Sequence, residues 1–304
     1  MKRARQALLL AMFALSTVAQ SAVAVIDDAG RKITLSRTPM RIISVAPGAT
    51  EMLFAAGAGS RVIATVEYSD EPPAAKRVPR IGDGIAVDME RVIALKPDVV
   101  IVWPGGGNPA QIAQLEKLGL PLYRQQVNAL SDISGSLRRL GALAGTQAVA
   151  ENAAKDIEAR LAHLTRRHAG TEPPTVLLQV WNHPVYTVGG RQLMTDALRY
   201  CGARNVFDDL TEMGPAVDVE AVIARNPDFI VAVAPPGAAA TWLAEWRRFP
   251  RLRAVRDNHL IGMVEGGLTR LGPSALAGAE ALCRAIDAKR ASAVAQSGAN
   301  PGNY

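Results

Sequence analysis

The segment DMERVIALKPD at residues 88–98 recurs 130 residues later as DVEAVIARNPD at 218–228, with seven of eleven positions identical. Each copy runs into an apolar strand, VVIV after the first and FIVAV after the second. A repeat of that kind means two related structural units, so the chain is expected to fold as look-alike halves. In each copy the leading aspartate, Asp88 or Asp218, can cap a short helix, and the Pro-Asp pair turns the chain into the strand.

Strand, loop and helix alternate around both copies. In the first half, strands are predicted at 41–45, 61–66, 99–103 and 120–124, and helices at 50–56, 88–95 and 109–118. In the second half, strands are predicted at 176–180, 229–233 and 259–263, and helices at 192–200, 219–224, 242–246 and 274–287. Such alternation predicts α/β architecture, two Rossmann-like lobes with central, mostly parallel sheets covered by helices. Between them Thr146 can cap a helix running to about His168, with Val149, Ala153, Ile157, Leu161 and Leu164 on one stripe. About 22 residues without Gly or Pro make a rod of roughly 33 Å, a rigid connector rather than a flexible linker. The expected organisation is residues 1–24 a leader, 25–40 an N-terminal extension, 41–145 the first lobe, 146–169 the connector, 170–290 the second lobe and 291–304 a flexible tail.

Residues 1–24, MKRARQALLLAMFALSTVAQSAVA, place three basic residues before an apolar run and end in the small-x-small pattern Ala22-Val23-Ala24. This reads as a secretory signal peptide cut after Ala24, which directs the mature chain to the periplasm. The formal charge of +6 includes Lys2, Arg3 and Arg5; without them it is +3, too weak to argue for a nucleic-acid surface. Two Cys cannot build a zinc cluster but can form one disulfide in an oxidising compartment.

A search for catalytic chemistry finds none. The four His are 163, 168, 183 and 259, and their spacing supports no metal site. Neither a G-x-S-x-G elbow nor a G-x-x-x-x-G-K-[ST] loop occurs. Gly105-Gly106-Gly107 follows a strand but lacks the spacing of a dinucleotide fingerprint, and reads as a loop that allows close ligand approach. An exported two-lobed chain without a catalytic constellation is expected to be a binding protein, not an enzyme. Its site is expected between the lobes, at the carboxyl ends of the strands. The first lobe offers Pro47, Gly48, Ala49, Tyr68 and Trp103; the second offers Trp181, His183 and the loop Glu265–Arg270, within it Gly266, Gly267, Leu268, Thr269 and Arg270. Rings at loop positions suit a large planar ligand, and equally suit packing under the loops. His183 could ligate a macrocycle metal or simply bond its neighbours. Glu90 and Glu220 take equivalent places in the repeat; they either complement helix dipoles or form matched acidic knobs for a two-fold symmetric partner.

RIISVAPGATEMLFAAGAG, VEYSDEPPAAKRVPRIGDG, DMERVIALKPDVVIVWPGGGN and ALRYCGARNVF together resemble the periplasmic cobalamin (vitamin B12)-binding proteins, within the iron-siderophore, haem and cobalamin binding family of ABC importers. The resemblance spans about residues 32–290. It implies the class III periplasmic binding protein fold, two lobes joined by one long helix, and a cobalamin cargo with no resident cofactor or metal. Haem or a ferric siderophore is the alternative cargo, the latter using Arg191 and Arg270. An exported hydrolase is a remote alternative. The resemblance implies that the partner is the importer's membrane permease with its ATPase complex, that Glu90 and Glu220 dock onto arginines of the permease, that the chain works as a monomer, and that Cys201 pairs with Cys283. Tyr68 and Trp103 match corrin-contacting aromatics and Arg270 a closing basic residue. Gly84, Gly214 and Gly267 stand where the family has rings, and Gly266 where it has an acid.

Overall fold

The computed structural model describes residues 22–83, 86–168, 170 and 172–298. Most of the expected leader, Gly84 and the end of the tail therefore lie outside the described residues. A hairpin of β1 (Val23–Ile26) and β2 (Lys32–Leu35) opens the fold, antiparallel and in register Val23 to Leu35. The cut expected after Ala24 would fall inside β1. Strict alternation along β2 sends Ile33 and Leu35 into the core. The turn after β1 is sewn to the first lobe by two buried aspartates. Asp27 accepts from the backbone of Arg124, and Asp28 accepts from Tyr123, Ser136 and Arg139.

The first lobe follows as β3 (Ile42–Ser44), α1 (Pro47–Ala55), β4 (Val62–Ala64), α2 (Met89–Ala94), β5 (Val99–Val102), α3 (Pro109–Lys117) and β6 (Leu122–Arg124). Its sheet is wholly parallel in the order β4-β3-β5-β6. β5 is buried along its whole length, as expected of an apolar strand covered on both faces. Next come α4 (Asp132–Ala144) and α5 (Gln147–Arg167). The second lobe runs β7 (Thr175–Gln179), β8 (Val185–Tyr186), α6 (Leu193–Tyr200), β9 (Arg204–Asn205), β10 (Ala216–Val217), α7 (Val219–Arg225), β11 (Phe229–Ala234), α8 (Ala239–Trp246), α9 (Arg253–Arg256), β12 (Leu260–Val264) and α10 (Ser274–Gly298). Its parallel sheet has the order β12-β11-β7-β9, while β8 and β10 form a separate antiparallel pair.

Read from the second strand of each lobe outward, both sheets have the order 2-1-3-4. The repeated segment supplies the same parts in each: α2 leading into β5, and α7 leading into β11. Asp88 accepts from the Arg91 amide at 3.0 Å and Asp218 from the Ala221 amide at 2.6 Å, so both caps form as the repeat predicts.

The connector is α5, 21 residues and about 31 Å long. Its buried stripe is Ala150, Ala154, Ile157, Leu161 and Leu164. Val149 is half exposed and Ala153 only partly covered, so the expected stripe is corrected by one position in its first two turns. The Thr146 hydroxyl does not cap the helix; it donates to the Ala56 carbonyl at the end of α1. Ion pairs bind α5 at both ends. Arg138 on α4 grips Glu151 and Glu158, and Arg160 on α5 makes a bidentate pair with Glu280 on α10 at 2.8 and 2.9 Å. One apolar core runs from β2 through α1, α4 and α5 to α6 and α10, so the connector is packed on both lobes rather than spanning open solvent. The expected disulfide is present: Cys201, just after α6, is bonded to Cys283 on α10. The tail expected to fray from Ala291 instead continues α10 to Gly298.

Candidate functional site

In a 2-1-3-4 parallel sheet the chain reverses direction between the first and third strands, and the crevice outside their carboxyl ends is open to ligand. In the first lobe those ends carry Ala46–Gly48 after β3 and Trp103 after β5. In the second lobe, the segments after β11 and β12 carry Pro236 and Glu265–Leu271. These four segments, with Tyr68 and Gln125, enclose a cavity of about 480 Å³ between the lobes.

Each ring is held by a local device. Trp103 lies against the triglycine that follows it. A methyl at Gly106 would stand 2.1 Å from Trp103 Cη2, and one at Gly105 would stand 2.8 Å from Nε1. The glycines therefore clear the space that the half-buried indole fills. Tyr68 is 74% exposed and sits at φ +63°, a left-handed backbone costing about 1–3 kcal/mol for a residue with a side chain. The loop is pinned beside it. Ser69 joins a buried hydroxyl cluster with Thr50 and Thr65, and Arg80 donates to the Ser69 carbonyl at 2.9 Å and to Asp70 at 3.1 Å. Anchoring on one side and strain at Tyr68 hold the ring out over the cavity.

The floor is where the lobes touch. A Cβ on Gly48 would meet the Leu271 carbonyl oxygen at 2.8 Å, so only glycine allows that approach. Gln125 donates to the same carbonyl at 3.0 Å. Glu51 on α1, 7% exposed, accepts from both the hydroxyl and the amide of Ser274 at the start of α10. Burial pushes the Glu51 carboxyl above the usual carboxylate range, opposed by the Ser274 hydrogen bonds and by the charge of Arg270.

The loop of the second lobe divides by role. Gly266 at φ +140°, Thr269 and Arg270 line the cavity. Its turn is closed by the Gly266 amide donating to Thr269 Oγ1 at 3.1 Å. Leu268 is 3% exposed in the core and Gly267 packs its backbone on α10, where a Cβ would meet the Ser274 carbonyl oxygen at 2.8 Å. Neither lines the cavity.

The structure thus brings Pro47, Gly48, Tyr68, Trp103, Gly266, Thr269 and Arg270 together. It does not bring the others. Ala49 faces the opposite side of the first turn of α1 and is fully buried in the core. Trp181 is 54% exposed and packs edge-on against Trp242 of α8, 6.2 Å between centroids, because the chain after β7 turns back into β8 rather than toward the cleft. His183 sits over α8, its Nε2 3.2 Å from Glu245, in a separate depression of the second lobe. Sequence reasoning missed Gln125, Pro236, Leu271 and Glu51. The strand-end rule that found Trp103 also covers Gln125 after β6 and Pro236 after β11. A single carboxylate inside the apolar run of α1 was the signal for Glu51.

Residues 42–265 match the family described as periplasmic binding protein. This chain belongs to the periplasmic binding protein family. A vitamin B12-binding protein of Photorhabdus laumondii is 32% identical over 254 residues, 84% of this chain and 90% of its own length. The crystal structure of the periplasmic vitamin B12 binding protein BtuF of Vibrio cholerae superposes with a TM-score of 0.77 at 30% identity, covering 83% of this chain and 98% of that one. A periplasmic heme binding protein from Pseudomonas aeruginosa superposes at 0.68 and 28% identity, covering 82% and 92%.

As a periplasmic binding protein the chain carries a second feature outside the cleft. Glu90 and Glu220 are the second residues of α2 and α7, at matched places of the two lobes. Both are exposed, neither lines the cavity, and neither makes an ion pair among the described residues.

Proposed function

We propose that this periplasmic binding protein is the capture component of an ABC importer for a corrinoid, cobalamin first, held between the lobes and handed to an inner-membrane permease. The observation that carries the reading is the pair of rings, Tyr68 and Trp103, on one wall of the inter-lobe cavity, with Arg270 opposite. Two flat faces on one wall of the cleft suit a broad macrocycle, and the ion pairs that stitch α5 to both lobes favour only slight closure around it. The vitamin B12-binding names of relatives at about 30% identity point to the same cargo. Residues 1–24 act as the leader, and the mature chain works in the periplasm as a monomer. Glu90 and Glu220 dock onto basic residues of the permease, one per lobe.

The test mixes the purified mature chain with cobalamin, haemin and ferric siderophores. Visible absorbance retained after desalting, with quenched tryptophan emission, is expected for cobalamin alone. Haem is the second reading, favoured by the exposed Tyr68 phenol at the cavity. Retention of haemin with a spectrum that Tyr68→Phe changes would establish it instead.

A further inference from the structure

The aromatic cavity is only one end of the cleft. A second space of about 240 Å³ adjoins it and shares Trp103, Thr269 and Leu271. A third, about 490 Å³, continues from the second through Gln126, Asn128, Arg191 and Gln192. The cleft is therefore a run of compartments that changes chemistry along its length. The aromatic end carries Glu265 and Arg270, which cancel. The far end is lined by side-chain amides and carries Arg191, Arg199 and one carboxylate, Asp196. Asp196 is taken: it pairs with Arg199 at 3.5 Å and accepts the Leu130 amide from across the cleft at 2.8 Å. Arg191 makes no ion pair among the described residues, so the far end keeps one net positive charge.

The backbone holds that charge at the rim. A Cβ on Gly189 would stand 2.1 Å from the Glu212 carbonyl oxygen, and one on Gly190 would stand 2.0 Å from that of Asp208. The Gly-Gly pair thus lies flat on the 208–212 segment and fixes where Arg191 begins. The same segment leads into Met213, which reaches across the cleft toward Gly105 over the middle compartment.

We propose that this far compartment receives an anionic, amide-bearing appendage of the cargo, with Arg191 as its charge partner: the phosphodiester of the nucleotide loop that a complete corrinoid carries beside its ring. The inference rests on the corrinoid reading above and deepens it, assigning the ring to Tyr68 and Trp103 and the loop to the amides and Arg191. A planar guanidinium suits phosphate oxygens, Gln126 and Asn128 offer both donors and acceptors, and Gln192, whose Oε1 accepts the Met194 amide at the start of α6, offers its NH2 group.

The experiment measures affinity for cobalamin and for cobinamide, the corrinoid without the nucleotide loop, by tryptophan quenching on wild type, Arg191→Gln and Arg191→Lys. Arg191 is exposed, and matching thermal melts verify that the variants fold. Wild type is expected to prefer cobalamin, with a preference that shrinks from low to high salt. Arg191→Gln is expected to weaken cobalamin about tenfold, or 1.4 kcal/mol, and cobinamide less than twofold, while Arg191→Lys restores part of the loss. Equal weakening of both ligands, or no change in cobalamin affinity, overturns the appendage site while leaving the corrinoid reading intact. A wild type that binds neither corrinoid overturns both.

Discussion

Gly106→Ala tests whether the Trp103 face is a binding surface without touching the indole itself. The added methyl would lie 2.1 Å from Cη2 and 2.2 Å from Cζ3, far inside van der Waals contact. Either the ring swings off its bed or the 104–107 loop lifts. Both destroy the flat wall shared by the aromatic and middle compartments. An aromatic anchor at the centre of an interface is worth about 1–3 kcal/mol on truncation. The variant should therefore lose about 5- to 150-fold in cobalamin affinity, approaching Trp103→Ala. The glycine is exposed on a surface loop, so the fold has room to relax and the melting temperature should hardly move. The assay is a quenching titration of both variants beside wild type, with a circular dichroism melt of each. Unchanged affinity in Gly106→Ala alongside a loss in Trp103→Ala would refute the claim that the triglycine positions the ring. Unchanged affinity in both would remove Trp103 from the site.

Replacing both Cys201 and Cys283 with Ala opens a link across 82 residues, and the chain-entropy model assigns about 4.5 kcal/mol to it; urea unfolding should show a loss of that order. Burial raises the folded-state pKa of Glu51 above its ordinary 4.5, so the native chain binds more protons above that pH than the unfolded chain does. Its contribution to stability therefore falls as pH rises through the raised value, and Glu51→Gln should flatten that part of the urea-midpoint profile; a wild-type advantage that grows with pH would contradict this. Charge reversal at Glu90 and Glu220 together should abolish uptake in cells while leaving cobalamin affinity intact, and a parallel loss of affinity would rule out a pure docking role. Gly141→Leu should destabilise by at least about 1–3 kcal/mol, since even a methyl there would come within 2.3 Å of the Ala150 methyl group of α5.

The repeat carried most of the architecture. A segment that recurs with its capping aspartate and following strand must sit in equivalent places, and both sheets do share one strand order. The connector was legible for a related reason: 21 residues without a breaker admit little besides a helix. What escaped was structure whose sequence signal is weak or inverted. Helix α4 went unseen because Gly135 and Gly141 interrupt it. Yet Gly141 is there to let Ala150 of α5 come close, a tertiary cause that periodicity does not carry. Within the site, residues that follow strand ends were readable, but which side of the loop they face was not. Ala49, in the first turn of α1, and Leu268, in the loop after β12, are apolar and went to the core, as apolar side chains do when one face is open. Trp181 and His183 follow β7 by the same rule, and only the return into β8 turns them away from the cleft. The contacts of Leu271 with Gly48 and Gln125 join segments that local sequence does not relate.

Hydrogen exchange of the mature chain, with and without saturating cobalamin, addresses the central claim that the cargo lies between the lobes. Protection is expected on both sides of the cleft at once, at residues 46–48, 66–70 and 103–107 of the first lobe and 265–271 of the second. Protection confined to one lobe, or centred on residues 182–185 beside α8, would contradict the account.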